Sequence, residues 1–401
     1  MTTNPRSIAS EYDVVIVGAR VAGASTAMLL ARQGLRVLVV DRGRPGTDTL
    51  STHALMRPAV WLLSQWGLLD EIRAAATPAI HSTAFHYGDD VLDIPITPTP
   101  GVDALYAPRR TIIDRLLVDA AVAAGAHVAF GVGFRGALRD DAGRVCGARL
   151  RTAGGEVVVR SRLVVGADGV HSTVAREVGA HVVEECSYAS GTIYAYFAGV
   201  AGDRSEWFWG RRVAAGRIPT NDGLTCVFVS VPSRRLREQL AGAVESTFWN
   251  VLQEATPSFA QKLRGGLRAS GFRGHGGHVG YLRRAHGPGW VLVGDAGYFK
   301  DPLTAHGMTD ALRDAALLAR CIDHDGTTDL GGYETTRDAL SREMLSLTDE
   351  VASFRWNLPQ LQQLHRRLSG LMKQELQVLD ALVCPPSPLV FDTAPTSATA
   401  T

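Results

Sequence analysis

Lysine is nearly absent from this 401-residue chain: Lys262, Lys300 and Lys373 are the only three, so arginine carries almost all of the positive charge. Cysteine is scarce as well. Cys146, Cys186, Cys226, Cys321 and Cys384 are odd in number, scattered and never in a CxxC pair, which argues against a disulfide framework or a zinc site and fits a reducing cytosol. No apolar run approaches the roughly 20 residues that cross a bilayer, and Met1 to Ser10 lack the apolar stretch of a secretory signal. A cytoplasmic protein without a membrane span is therefore expected. Neither charge is in excess, with 41 Lys+Arg against 40 Asp+Glu, so the basic footprint of a nucleic-acid partner is missing. What remains is an ordinary globular composition, 46% hydrophobic, in a chain long enough for two or three domains.

Asp13 to Val17 is an apolar run, Ala22 to Gln33 has a helix-forming composition closed by Gly34, and Arg36 to Val40 is a second run ended by Asp41. Strand, glycine turn, helix and strand make the βαβ unit of a parallel sheet. The loop Gly18-Ala19-Arg20-Val21-Ala22-Gly23 opens the helix, where backbone N–H groups and the helix dipole hold a pyrophosphate. Asp41, about 20 residues on, is placed to accept ribose hydroxyls. FAD and NAD both satisfy this geometry. Arg20 stands where the middle glycine of the fingerprint belongs, and its guanidinium could instead reach a phosphate.

Helical spacing continues over Pro58 to Ala76, Thr111 to Ala124, Met308 to Cys321 and Tyr333 to Leu379. Ser82 to Ile96 reads as extended chain turning at Gly88-Asp89-Asp90, and His127 to Phe134, Arg144 to Thr152 and Glu156 to Arg160 as an antiparallel meander. Leu163 to Gly166 is a buried strand, and Tyr188 to Val200, Trp207 to Ile218 and Leu224 to Val231 make a second sheet. Alternation sets Tyr194 and Tyr196 on one face, opposite Ile193, Ala195 and Phe197. Phe228 could join the tyrosines as a pocket wall, although ordinary sheet core explains all three equally well. His275, His278 and His286 lie among glycines without a carboxylate or cysteine nearby, so no metal is expected, and Arg283 and Arg284 read as a solvated face.

Two further segments carry chemistry. Leu163-Val164-Val165-Gly166-Ala167-Asp168-Gly169 is followed by Ser172 and Arg176; Gly294-Asp295-Ala296 is followed by Pro302, Gly307, Ala311 and Asp314. With the glycine loop, their order and spacing resemble the fingerprints of the FAD-dependent aromatic hydroxylases, the group A monooxygenases typified by p-hydroxybenzoate hydroxylase, over about Tyr12 to Leu318. Their superfamily also contains geranylgeranyl reductases and flavin halogenases. The resemblance implies an α/β fold: a Rossmann-like FAD-binding domain (GR2-type), an inserted β-sheet substrate domain and C-terminal helices. The expected division is FAD-binding over 1–80, 106–185 and 281–332, substrate strands over 81–105, a substrate sheet over 186–280, C-terminal helices over 333–392 and a disordered Ala/Thr tail over 393–401.

The resemblance also implies roles. Gly18, Arg20, Gly23, Asp41 and Arg42 would hold the ADP half of FAD. Arg110 would reach the cofactor, and Asp168 and Gly169 match a motif associated with FAD and the reduced nicotinamide. Gly294 and Asp295 would meet the ribityl chain. Pro302 to Met308 would lie beside the isoalloxazine, with the helix from Gly307 aiming its N-terminus at the ring and favouring the anionic reduced form. Ala305 and Thr309 replace the usual glycine and asparagine. No second nucleotide loop appears, as expected if NADPH or NADH binds transiently, with a separate reductase as the alternative donor.

The expected function is a monooxygenase using NAD(P)H and O2 to oxygenate a hydrophobic, aromatic or polyketide-like small molecule through a flavin hydroperoxide. Tyr194, Tyr196 and Phe228 are the substrate-binding candidates. His53 and His306 are candidate bases for a phenolic substrate, with flavin hydrogen bonding or loop polarity as the plainer explanation. A prenyl-chain reductase acting on carbon–carbon bonds is the second reading, from the Pro302-Leu303-Thr304 loop, and flavin binding without turnover the third. Halogenation is disfavoured because no lysine precedes Lys262. The helices from Tyr333 onward could be a lid or the surface of a homodimer.

Overall fold

A computed structural model describes residues 8–49, 51–200, 202–239, 243–323 and 328–383; Cys384 and the segment 393–401 lie outside the described residues. The opening βαβ unit forms as read, with strand Glu11–Val17, helix Val21–Arg32 and strand Val37–Asp41. The parallel strands run, in sheet order, His127–Phe130, Val37–Asp41, Glu11–Val17, Gly155–Gly166 and Trp290–Leu292, with His286–Gly287 antiparallel at the edge. Val14 to Val17 and Val37 to Val40 are buried on both faces, as continuous apolar strands in a covered parallel sheet must be. Each such side chain contributes about 1.5–3 kcal/mol of burial. Ligands in such sheets bind beyond the carboxyl ends of the strands, which here places Gly18, Asp41 and Ala167 along one rim.

The meander needs correcting. His127–Phe130 is a parallel strand beside Val37–Asp41, and a separate strand, Gly133–Arg139, pairs antiparallel with Val145–Thr152. Glu156 to Arg160 and Leu163 to Gly166 are one 12-residue strand, antiparallel to Val145–Thr152 at its start and parallel to Glu11–Val17 from Arg160 onward. The charges of Arg160 and Arg162 disguise that continuity, because they fall on the solvent side where the strand is half exposed.

The second sheet runs Leu267–Arg268, Ser190–Ala198, Leu224–Pro232, Val213–Pro219, Ser205–Gly210, Ser82–Tyr87 and Asp90–Pro95. Trp207 to Ile218 is not one strand but a hairpin turning at Arg211-Arg212, where Arg212 takes φ 61 without the glycine or asparagine that usually signals such a turn. Three helices absent from the sequence reading, Ser233–Gln239, Val244–Ala255 and Pro257–Arg264, cover one face. Their signal was present, since Phe248, Val251 and Leu252 follow helical spacing. The other face looks toward the rim of the parallel sheet. The C-terminal helices Leu330–Ala352 and Leu358–Val383 close that side, Leu361, Leu364 and Leu368 packing on the second sheet and Leu379 on the nucleotide-binding core.

Candidate active site and cofactor cleft

Gly18 has φ 107, and a β-carbon there would come 2.3 Å from the Ala167 carbonyl oxygen; one on Gly23 would come 1.8 Å from that of Gly18. Both positions exclude any side chain. Helix Val21–Arg32 starts with no capping side chain and no acid in its first turn, leaving the first-turn N–H groups to an external anion. Asp41 accepts from Ala19 N at 2.9 Å and Gly43 N at 2.7 Å, so its carboxylate lies against the loop. Arg42 is exposed. Arg20, half exposed, is joined to Arg110 through Asp114, at 3.0 and 2.9 Å. Burial pushes the Asp114 carboxyl up in spite of the two guanidiniums.

Asp168 caps helix Thr173–Val178, accepting from Ser172 Oγ, Thr173 N and Oγ1 and Val174 N, while Gly169 (φ 79) has open space around it. The Gly294-Asp295 turn is held from two sides. Asp314 accepts from Gly294 N at 3.0 Å, and the Tyr281 hydroxyl lies 2.6 Å from the Asp295 carbonyl and 3.2 Å from that of Val170, so one phenol bridges both acidic motifs. Arg283, expected on a solvated face, stacks 4.0 Å from the Tyr281 ring and donates to Ala296 O at 2.8 Å. The short strand Tyr281–Arg283 carrying both was invisible in the sequence because histidines and glycines surround it. The Asp295 carboxylate has no hydrogen-bond partner among the described residues, and burial, helped by Asp310, pushes it up to about 6. An acid left so is suited to a ligand's hydroxyls.

Beyond the turn, Asp301 accepts from Ser190 N and Oγ and from Leu303 N, fixing the Pro302–Thr304 turn to the first residue of strand Ser190–Ala198 in the second sheet. Ala305 adopts φ 50, the left-handed conformation that explains the glycine usual at this position. Gly307 is exposed and Met308 partly so at the start of helix Gly307–Arg320, and the Thr309 hydroxyl accepts from Met56 N at 3.3 Å, tying the helix to the loop that carries His53.

His306 is 1% exposed, with Nε2 2.7 Å from Glu375 Oε2 and 4.0 Å from Asp310. Arg313 donates to Asp310, Asp314, Glu375 and Ser341, and Lys300 pairs with Asp310. His306, Asp310 and Glu375 bring ligand atoms within 4.8 Å of one another, as a metal would need, but Lys300 and Arg313 already neutralise both carboxylates. Asp310, Arg313 and Glu375 were not singled out from the sequence, and Lys300 was noted only as a scarce lysine in the loop; the polar residues Asp310, Arg313 and Asp314 inside one helix were the available signal.

The inward face of the second sheet gathers Tyr194, Tyr196, Trp207, Trp209 and Phe228 in one buried cluster with Leu303 and Ala305 of the loop and Leu361, Leu364 and Leu368 of the last helix. Phe228 meets Trp207 edge-on at 5.0 Å. His53, fully buried with φ 66, places Nε2 against the Tyr196 hydroxyl, and Arg109 lies 4.1 Å over the Tyr196 ring. Tyr194 is edge-on to Tyr196 at 5.8 Å. His53 Nδ1 has no partner among the described residues.

Burial lowers the His53 pKa to about 3, with Arg110 adding to the effect. A histidine depressed in the folded state binds a proton in the unfolded chain first, so stability is fully present above about pH 6.5 and falls as pH drops toward 3. The expected cost from His53 alone is on the order of 3 kcal/mol at pH 4. Asp295 and Asp301, whose carboxyls burial raises to about 6, push the opposite way. The difference between the parent and a His53→Asn variant in urea titrations from pH 4 to 7 isolates the histidine. Parallel curves would show that His53 takes up its proton in the fold as it does in the unfolded chain, with no depression.

A glycine-loop βαβ unit, a second acidic turn and a buried aromatic face are the features of a flavin-dependent oxidoreductase. The residues fit FAD: an uncapped helix start, an acid at the second strand end, and the unpartnered Asp295. The model of the FAD binding domain family matches residues 11–346, and the chain belongs to that family, within the p-hydroxybenzoate hydroxylase-like superfamily in which NAD(P)H is the typical electron donor. Digeranylgeranylglycerophospholipid reductase 1 of Methanococcoides burtonii is 27% identical, over 77% of this chain and 73% of its own length. Aklavinone 12-hydroxylase RdmE of Streptomyces purpurascens is 34% identical over 42% of this chain and 35% of its own. In structure, the flavin-dependent brominase Bmp2 (TM-score 0.76, 19% identity, 92% of this chain, 93% of that one) and P. aeruginosa PqsL in complex with 2-aminobenzoylacetate (0.74, 24%, 90% and 100%) share the fold. Among the described residues, no helix is long and apolar enough to cross a membrane.

Proposed function

We propose that the protein is an FAD-dependent monooxygenase acting on a hydrophobic, aromatic or polyketide-like small molecule. The observation that carries this is the packing of the sheet aromatics against Leu303 and Ala305, which sets an apolar, ring-lined face directly beside the flavin loop. Gly18, Gly23 and Asp41 would hold the ADP half of FAD and Asp295 its ribityl hydroxyls. Bound FAD supplies the two-electron chemistry and, with dioxygen and NAD(P)H, oxygen transfer. The protein's part is to exclude water, orient the substrate and hold protons. Burial raises the Tyr196 hydroxyl far above its ordinary range, so it stays protonated, and in the arrangement proposed here it donates to the neutral His53 Nε2 that it meets. The His53 proton then sits on the unpartnered Nδ1, ready for a carbonyl or phenol oxygen. A histidine that binds protons so weakly serves better as this donor than as the base for a phenol.

The likeness to an aklavinone 12-hydroxylase, and to PqsL bound to 2-aminobenzoylacetate, supports an aromatic substrate for this chain. The broader coverage of the prenyl-lipid reductase favours the second reading, reduction of a carbon–carbon double bond. No lysine precedes Lys262, which gives halogenation no support. Turnover of polycyclic phenols under isotopically labelled dioxygen separates the two readings. Label in the product is the expected result; unlabelled, hydrogenated product formed without dioxygen would establish the reductase.

A further inference from the structure

The ionic cluster behind the flavin loop holds charge in a region closed to water. Its cations are Lys300, Arg313 and, when protonated, His306; its anions are Asp310, Asp314 and Glu375, and every one of these side chains is at most 3% exposed. They come from the loop, from the helix Gly307–Arg320 and from the C-terminal helix. Ser341 of helix Leu330–Ala352 joins through Arg313, and the Tyr298 ring lies 4.9 Å from Lys300 and 5.5 Å from Arg313. Arg313 is held as a cation by its three carboxylate partners, whereas burial pulls the Lys300 ammonium down in spite of Asp310. His306 places Nε2 2.7 Å from Glu375 Oε2, and it precedes the first residue of helix Gly307–Arg320, directly after the Pro302–Thr304 turn.

Glu375 offers one oxygen to Arg313 and the other to His306. Burial opposes its ionisation, yet the charge and hydrogen bond of His306, with Arg313 and Lys300, hold it well below the usual carboxylate range. A cation and an anion thus stand side by side next to the loop, where charges act at reduced screening. We propose that His306, as an imidazolium, and Glu375 are positioning residues that set the redox potential of bound FAD, the first favouring negative charge on the reduced cofactor and the second opposing it. The inference rests on FAD occupying the cleft and not on the reaction proposed above, because a potential is read without substrate or dioxygen.

The experiment is an anaerobic redox-dye titration of the full-length FAD-loaded protein, its His306→Gln and Glu375→Gln variants, and the double variant, with FAD content and unfolding curves for each. Glutamine keeps a hydrogen-bonding group at either position. His306→Gln is expected to lower the reduced-to-oxidised ratio at fixed potential tenfold, about 30 mV more negative for a two-electron couple, and Glu375→Gln to raise it tenfold. The double variant is expected within about threefold of the parent, since a neutral pair replaces a neutral pair. A merely structural pair would not give opposite signs that cancel. Shifts of one sign, single variants within threefold of the parent, or a double variant still displaced overturn the proposal. If one single variant fails to retain FAD, the other is compared with the double: a tenfold difference in the stated direction supports the proposal, and equality overturns it.

Discussion

Gly23→Ala is expected to fold and to lose FAD. Its new methyl group would lie 1.8 Å from the Gly18 carbonyl oxygen, backbone that cannot rotate away, so the loop must shift off the helix start that, on the proposed function, would receive the pyrophosphate. The expected loss of affinity is at least roughly 100-fold, or about 2.8 kcal/mol, measured by flavin fluorescence on titrating the apoprotein. Gly34→Ala is the control. Gly34 closes the same helix at φ 88 with nothing within 4 Å, so the substitution costs only the left-handed backbone strain, about 1–2 kcal/mol of stability, and leaves FAD binding intact. Stoichiometric FAD in purified Gly23→Ala would falsify this account of the loop.

Arg313→Met is expected to destabilise the fold by about 3–5 kcal/mol, because it leaves Asp310, Asp314 and Glu375 buried around an apolar side chain. Urea unfolding of the parent and variant gives the difference. Since Asp314 also holds Gly294 N and Glu375 anchors the last helix, FAD retention is expected to fall with stability. Arg313→Lys should recover only part of it, as one ammonium cannot reach four partners from the place of a planar fork. A loss below about 1 kcal/mol would mean that the three carboxylates are protonated and carry no charge.

The cofactor half of the site was legible because local rules dictate it. A tight turn between strand and helix demands glycines at 18 and 23, and an acid at the next strand end follows from the distance to a ribose. The period-two alternation likewise placed Tyr194 and Tyr196 together, and in the fold both face the flavin loop in one cluster. Legibility failed where the signal depended on partners far along the chain. Strand Gly155–Gly166 changes neighbours midway, so its pattern changes from alternating to continuous and reads as two pieces. Arg283 looked like part of a solvated face, and Tyr281 carried no signal, until the Asp295 turn packed against them.

The sequence by itself determined a nucleotide-binding βαβ unit, the order of its three motifs, the facing of the sheet tyrosines and the shortage of lysine. These follow from neighbours within one turn or one strand, whose spacing is written in the chain. Only the tertiary structure decided that His53 meets Tyr196, 143 positions away, and that Glu375 reaches His306 across 69. Such pairs are chosen by which charged or polar groups end up buried together, where each must find a partner or pay its full desolvation. That condition is met by the folded packing as a whole and leaves no pattern at either end of the pair.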